Sequence, residues 1–290
     1  MPGILDNLLQ LNLFDCPLDR VKFYTVASTR PDLVTKSGNL LPQVSVFTTL
    51  EKENKDSWEY EDFDYKLSLL GFRDKNLVDD ADFNIDLAVF GCSYTFGIGL
   101  PQNAIWYNQL GSNLTTYNFG QPGASIKAIA DIFHIVSSHM KIKKAVFLLP
   151  NYTRSMIAFN NPEQRKDNNI EFVHFMPNIP RIPGQFDQYQ DIHNIHYKYT
   201  SDAEFIRNMK DEVYLIEQMS KYKNIELFMS SWDEPTYQLL YRMNLRYATI
   251  LKQFTWPTDS STKVLARDKM HPGIGHHKYW ANQIRDIVCK

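Results

Sequence analysis

A serine hydroxyl is a poor nucleophile until a base takes its proton, and an imidazole serves best as that base when a carboxylate holds it. Two stretches of the sequence supply these groups. In LAVFGCSYTFGIGL, residues 87–100, an apolar run from Ile85 to Phe90 breaks at Gly91-Cys92-Ser93 and enters a loop carrying Gly97, Gly99 and Pro101. The pattern predicts a buried strand whose tight turn offers Ser93 at its carboxyl end, where open α/β sheets place their ligands. Near the other end of the chain, Asp268-Lys-Met-His271-Pro-Gly spaces an acid and an imidazole three residues apart. One loop or helical turn can present both, with Asp268 steering His271. A tetrahedral intermediate also needs donors aimed at its oxyanion. Gly120-Gln-Pro-Gly123 follows another expected strand and suits that task through backbone N–H groups, and Asn151 ends the next strand with a side-chain amide. Taken singly, each piece has a structural reading: a strand-end serine, a plain turn, a capping histidine. Their order at successive strand ends, on one edge of one sheet, is what joins them into a site.

The elements that must position these residues alternate from Ile85 onward. Asn103–Leu114 has Trp106, Leu110 and Leu114 at helical spacing, and Thr115–Phe119 reads as a short strand. Ser125 is placed to cap a long helix with Ile126, Ile129, Phe133 and Val136 on one face. Ala145–Leu149 is a continuous apolar strand. A helix over Ala203–Lys221, a strand at Ile225–Met229, a helix near Tyr237–Thr249, turns at Trp256–Ser261 and a closing helix over His276–Val288 complete the series. Such alternation predicts a parallel sheet covered on both faces. Residues 1–84 read differently, as a β-rich extension with short runs at Val21–Ala27, Val44–Leu50 and Tyr65–Leu70 around the charged, aromatic stretch Glu51–Asp64. There Phe72-Arg73 reads as exposed, with Arg73 in a surface ion pair or, alternatively, on a substrate anion. Residues 151–200 interrupt the alternation with Asn, Pro, His, Tyr and Phe and read as an ordered lid inserted into an 85–290 domain. In it His174, Tyr189, Tyr197 and Tyr199 either line a glycan or acyl site or pack on one another.

At this point the motifs acquire a family. Gly91-Cys92-Ser93-Tyr94-Thr95-Phe96-Gly97, Asn118-Phe-Gly-Gln-Pro-Gly123-Ala-Ser and Asp268-Lys-Met-His271-Pro resemble blocks of the SGNH (GDSL-like) hydrolase superfamily. The resemblance covers about residues 85–151 and 264–285. It implies a three-layer α/β/α sandwich with a flavodoxin-like parallel sheet, and a serine esterase needing no cofactor and no metal. It further implies Ser93 as nucleophile, His271 as base, Asp268 as its orienting acid, and an oxyanion hole from Ser93, Gly123 and Asn151. The expected substrate is an O-acyl group on a carbohydrate or another small ester. Two positions depart from the pattern: Cys92 stands where the family has Asp, and Leu149-Pro150-Asn151-Tyr152 stands where it has Gly-x-Asn-Asp.

Composition sets outer limits. The 290 residues are 43% apolar and 22% charged with net charge −2, and the mean hydropathy is −0.38. A broad nucleic-acid partner is not expected, nor is a membrane span or a signal peptide at the amino terminus. The expected location is cytoplasmic or virion-associated. Cys16, Cys92 and Cys289 are too scattered for a disulfide framework or structural zinc. Thr95 breaks the G-x-S-x-G elbow of α/β-hydrolases, and Gly97-Ile-Gly99 lacks the third glycine of a dinucleotide fingerprint. Cys92 as nucleophile gives way to a thiol packed as a small hydrophobe, and His193-Asn-Ile-His196 has no acidic partner to complete a metal site. Two further functions stay open: a non-catalytic virion, tail-associated or glycan-binding protein on the same fold, as in phage-encoded relatives of this motif, and an O-acyltransferase.

Overall fold

The computed structural model describes residues 43–44, 51, 53, 62–68, 72–74, 84–111, 114–160, 170–175, 190–255 and 265–290. In chain order the strands are β1 (Gln43–Val44), β2 (Tyr65–Lys66), β3 (Asn84–Gly91), β4 (Thr116–Gly120), β5 (Lys141–Leu149), β6 (Ser155–Asn160), β7 (Ile170–Phe175), β8 (Glu226–Ser231) and β9 (Ala248–Ile250). The helices are α1 (Ser93–Phe96), α2 (Ile126–His139), α3 (Gln190–Tyr199), α4 (Asp202–Tyr222), α5 (Glu234–Arg242) and α6 (Ile274–Val288).

Five strands form one parallel sheet in the order β4-β3-β5-β8-β9. Counted along the chain these are the second, first, third, fourth and fifth, the flavodoxin-like order. The central strands are apolar on both faces, as strands with helices above and below must be. Ile85, Ala88 and Phe90 of β3 and Ala145, Phe147 and Leu149 of β5 face α2 and α4. Leu87, Val89, Val146 and Leu148 face Trp280, Ala281 and Ile284 of α6. Phe90 is stacked between Phe119 at 5.1 Å and Phe147 at 4.8 Å, which fixes the register of three neighbouring strands. Ser125 caps α2 by accepting from the Ala128 N–H at 3.2 Å. The expected three-layer α/β/α sandwich is the observed fold.

Three local expectations are corrected. The helix over Asn103–Leu114 is two short 3-10 segments, Gln102–Ala104 and Trp106–Gln109, separated by extended Ile105. The Trp106 N–H is taken by His277 Nδ1 at 3.1 Å, so a continuous helix would forfeit that bond. The helix placed near Tyr237–Thr249 runs over Glu234–Arg242, because Asp233 caps it and accepts from the Thr236 N–H at 3.0 Å. Beyond it Ala248–Ile250 pairs with β8. Arg73 is fully buried, and so is Phe72. The Arg73 guanidinium donates to the carbonyls of Phe96 at 3.2 Å, Gly97 and Leu100 rather than forming a surface ion pair. Within the expected β-rich lead-in, β1 and β2 pair antiparallel. In the 151–200 segment β6 and β7 form a hairpin, and the Tyr197 ring stacks on Phe205 at 5.7 Å. The expected run at Val21–Ala27, most of Val44–Leu50, the turns at Trp256–Ser261, and Tyr189 lie outside the described residues. No helix among the described residues is long and apolar enough to cross a membrane.

His277 makes an acid-stability prediction. Burial, with His276, His271 and Arg73 adding to it, pushes its pKa down to about 3, and accepting from Trp106 requires the neutral ring. The folded pKa lies below the unfolded value of about 6.5, so the unfolded state binds more protons between those limits. Stability is therefore intact above pH 6.5 and falls as pH drops toward 3. In His277→Asn an amide oxygen can replace the ring acceptor without titrating. The stability gap between wild type and variant should narrow as pH falls from 6.5 to 4.5; a gap constant with pH in urea titrations would contradict this assignment.

Candidate active site

Ser93 opens α1 immediately beyond β3, at the carboxyl edge of the sheet, and Asn151 follows the adjacent β5. They flank the switch point between the first and third strands of the sheet, where such folds bind ligands. The short α1 ends at Gly97, whose N–H donates to Ser93 O at 2.8 Å. The chain then turns at Gly99, with φ +74°; a Cβ there would lie 2.8 Å from Ala266 Cβ and 2.9 Å from the Arg267 N. Glycine permits the close approach. In the space so left, the Arg267 N–H donates to Gly99 O at 3.0 Å. The two segments singled out in the sequence therefore meet.

The Asp268–His271 turn is closed at its base by an isolated antiparallel bridge between Leu265 and Pro272, and the Ala266 N–H donates to His271 O at 2.9 Å. Inside it Asp268 Oδ1 accepts the N–H groups of Met270 and His271, both at 3.0 Å. Asp268 Oδ2 lies 2.5 Å from His271 Nδ1. Burial alone would push the Asp268 carboxyl up, but the His271 ring and these backbone donors outweigh it and hold the pKa below its ordinary value. An ionised Asp268 keeps the proton on Nδ1 and leaves Nε2 as the ring nitrogen free to accept one. The His271 side chain retains 21% exposure while that of Asp268 retains 3%, so the imidazole is the accessible end of the pair.

Ser93 is 5% exposed, and its hydroxyl points to Cys92 Sγ at 3.9 Å. Among the described residues no hydrogen bond joins it to His271. Tyr94 bridges the two: its ring meets His271 edge-on at 5.6 Å and lies 4.8 Å from Trp232 and 5.7 Å from Phe254. Burial pushes the Tyr94 hydroxyl up to about 12, so it stays protonated. Fully buried Cys92 accepts from the Trp232 indole N–H at 3.2 Å.

Two expected oxyanion donors lie on the same edge. The Gln121–Ala124 turn is fastened to β3 by the Gln121 N–H donating to Gly91 O at 2.9 Å. Within it Gly123 takes φ +78°, and no described residue accepts its N–H. The Asn151 amide donates to Asp233 Oδ1 at 3.0 Å, and its oxygen accepts from the Thr153 N–H at 2.8 Å and the Thr153 hydroxyl at 2.5 Å. One of the two amide protons is thereby taken, and the side chain is held in place.

No protein-family model matches the sequence, and no curated protein does. Among solved structures the chain is similar to TesA, at 10% identity and a TM-score of 0.44 over 71% of this chain and 98% of that one. It is similar to the psychrotrophic esterase EstA from Pseudoalteromonas sp. at 11% identity and a TM-score of 0.41, covering 72% and 97%. A family 3 carbohydrate esterase from Clostridium thermocellum gives 14% identity and a TM-score of 0.39, covering 71% and 98%. At such distances the chemistry has to come from this chain's own residues.

Several of those residues were not singled out in the sequence. Trp232 and Asp233 follow β8, one strand beyond Asn151, and the strand-end position was the available signal. Arg154 shares a turn with Asn151, its N–H donating to Asn151 O at 3.1 Å. The two histidines of α3 serve local packing: His196 Nε2 lies 2.9 Å from Ser155 Oγ, and the His193 ring meets Phe175 edge-on at 5.5 Å. No group of three or more metal-ligating side chains occurs among the described residues.

Proposed function

We propose that this chain is a serine hydrolase acting on ester bonds, with Ser93 as nucleophile, His271 as general base and Asp268 as its orienting acid. The observation that carries the proposal is the Asp268–His271 pair, whose loop is hydrogen-bonded onto the turn that follows Ser93. Ser93 Oγ attacks the ester carbonyl carbon while His271 Nε2 takes the hydroxyl proton. The tetrahedral oxyanion receives the N–H groups of Ser93 and Gly123 and the second amide proton of Asn151. Ser93 is the first residue of its helix, where an N–H has no intrahelical acceptor. The carbon–oxygen bond to the alcohol then breaks, and His271 returns the proton to the leaving alkoxide. Water repeats the sequence on the acyl-enzyme, again through His271, and releases the free acid and Ser93. The substrate class we assign is an O-acyl group on a carbohydrate, on the resemblance of the sequence motifs to SGNH hydrolases.

The test is release of acid from a short-chain aryl ester followed at fixed pH. Saturable turnover with a burst of alcohol equal to the enzyme concentration is the expected result when deacylation is slow. One observation favours a second reading, a binding protein that keeps the fold: the Ser93 hydroxyl is turned toward Cys92 rather than His271. Catalytic hydrogen bonds are commonly loose before substrate arrives. Absence of acid release above background from every aryl ester from acetate to octanoate would favour the binding protein.

A further inference from the structure

Among the described residues, Arg154 is a cation without a counter-ion at the edge of this site. Its Nη1 is buried, and among the described residues it has no hydrogen-bond partner and no ion pair. A buried guanidinium N–H left unmade is costly, so the position invites an acceptor. The guanidinium carbon lies 5.2 Å from the centre of the Trp232 ring. The same indole donates to Cys92 Sγ and packs on Tyr94, the two residues flanking Ser93. Arg154 also issues from the turn that begins at Asn151, so the cation and the expected oxyanion donor are held by one short loop. Arg154 also helps line a 320 Å³ cavity with Lys127, Tyr152, Asn208, Asp211 and Glu212. Lys127 in that wall is already paired with Asp131 at 3.2 Å and Glu212 at 3.7 Å, whereas no described residue pairs with Arg154. A planar, permanently charged fork stacked on an aromatic ring is suited to bidentate capture of a carboxylate.

We propose that Arg154, held on Trp232, receives a carboxylate carried by the ester substrate. This rests on the ester-hydrolysis reading and narrows it to acidic esters. The carboxylate can belong to the acyl half, as in a dicarboxylic half-ester, or to the alcohol half, as in an acylated sugar acid. Matched substrates separate these: 4-nitrophenyl hexanoate against the 4-nitrophenyl half-ester of adipate, and 4-acetoxybenzamide against 4-acetoxybenzoate. In wild type the acidic member of one pair should have the higher kcat/KM by about 10- to 100-fold, the worth of a charged hydrogen bond. The pair that shows the preference identifies the half. Arg154→Met should bring the acidic-to-neutral ratio to about one, and Arg154→Lys, which keeps the charge but loses the fork, should fall between. An unchanged ratio in Arg154→Met, or no preference in wild type, overturns the proposal.

A catalysis-free readout separates its failure from that of the hydrolase reading. Tryptophan fluorescence titrated with adipate and with benzoate should saturate in wild type and weaken at least about 10-fold in Arg154→Met. Binding without turnover of any ester upholds the carboxylate site and removes the hydrolase. Turnover without preference or binding does the reverse.

Discussion

Replacing Ser93 with alanine should lower ester kcat by about four to six orders of magnitude, as loss of a nucleophile does when it acts as one unit with its base. The substitution removes one oxygen whose described partner is the Cys92 thiol at 3.9 Å, so folding should be almost unaffected. His271→Ala should cost nearly as much, and the double variant little more than either, because neither residue attacks without the other. The residual rate over water would come from the oxyanion donors and from binding. Steady-state kinetics on one aryl ester, with enzyme concentration varied to expose contaminating activity, checks all three. A Ser93→Ala variant within 10-fold of wild type would place the nucleophile elsewhere.

The second large effect concerns stability and joins the lead-in to the site. Arg267, adjacent to Asp268, is fully buried, and its Nη2 and Nε donate to Glu51 Oε1 at 3.0 and 3.2 Å. Its Nη1 donates to Asp62 Oδ1 at 2.8 Å, and its guanidinium carbon sits 3.8 Å from the centre of the Phe63 ring. Tyr65 donates its hydroxyl to the same Glu51 and accepts from the Gly99 N–H at 2.7 Å. One buried carboxylate thus ties together the loop after Ser93 and the loop carrying Asp268 and His271. Removing one partner of a buried pair leaves the other charge uncompensated at a cost of about 3–5 kcal/mol. Arg267→Met should show that loss in urea unfolding at pH 7, with ester turnover lowered even where the variant is folded. A change below about 1 kcal/mol, the value of a surface pair, would contradict the role given to this network. Glu51→Gln, which keeps an acceptor but removes the charge, should lose less than Arg267→Met.

Much of this architecture was legible because it rests on periodicity. The apolar runs in Ile85–Phe90 and Ala145–Leu149, with the helical stripe from Ile126 to Val136, lead directly to a doubly covered parallel sheet. Strand-end logic and motif order led to the expectation that the Ser93 and Asp268–His271 segments meet, and the Arg267 N–H to Gly99 O bond and the Tyr94–His271 ring contact join those segments. What escaped was set by partners distant in sequence. Trp106 is drawn out of a helix by His277, 171 residues away, and a local pattern of Trp106, Leu110 and Leu114 carries no trace of that bond. Arg73 looked like a surface residue beside Phe72 and Asp74. Its burial depends on the carbonyls of Phe96, Gly97 and Leu100, which the turn through Gly97 and Gly99 aims at its guanidinium. Trp232, Asp233 and Arg154 lie outside the recognised motifs, and only the sheet edge brings Trp232 onto Cys92 and Tyr94, Asp233 onto Asn151 and Arg154 onto Trp232.

The central claim is that Ser93 is a nucleophile activated by His271, and covalent labelling tests it most directly. Wild type treated with a fluorophosphonate should gain the mass of one phosphonyl group, mapped by peptide sequencing to Ser93. His271→Ala, with its hydroxyl intact but no base to activate it, should label at least about 10²-fold more slowly, the usual contribution of general base catalysis. Labelling of Ser93 at the same rate in both proteins, an adduct on another residue, or no adduct at all would contradict it.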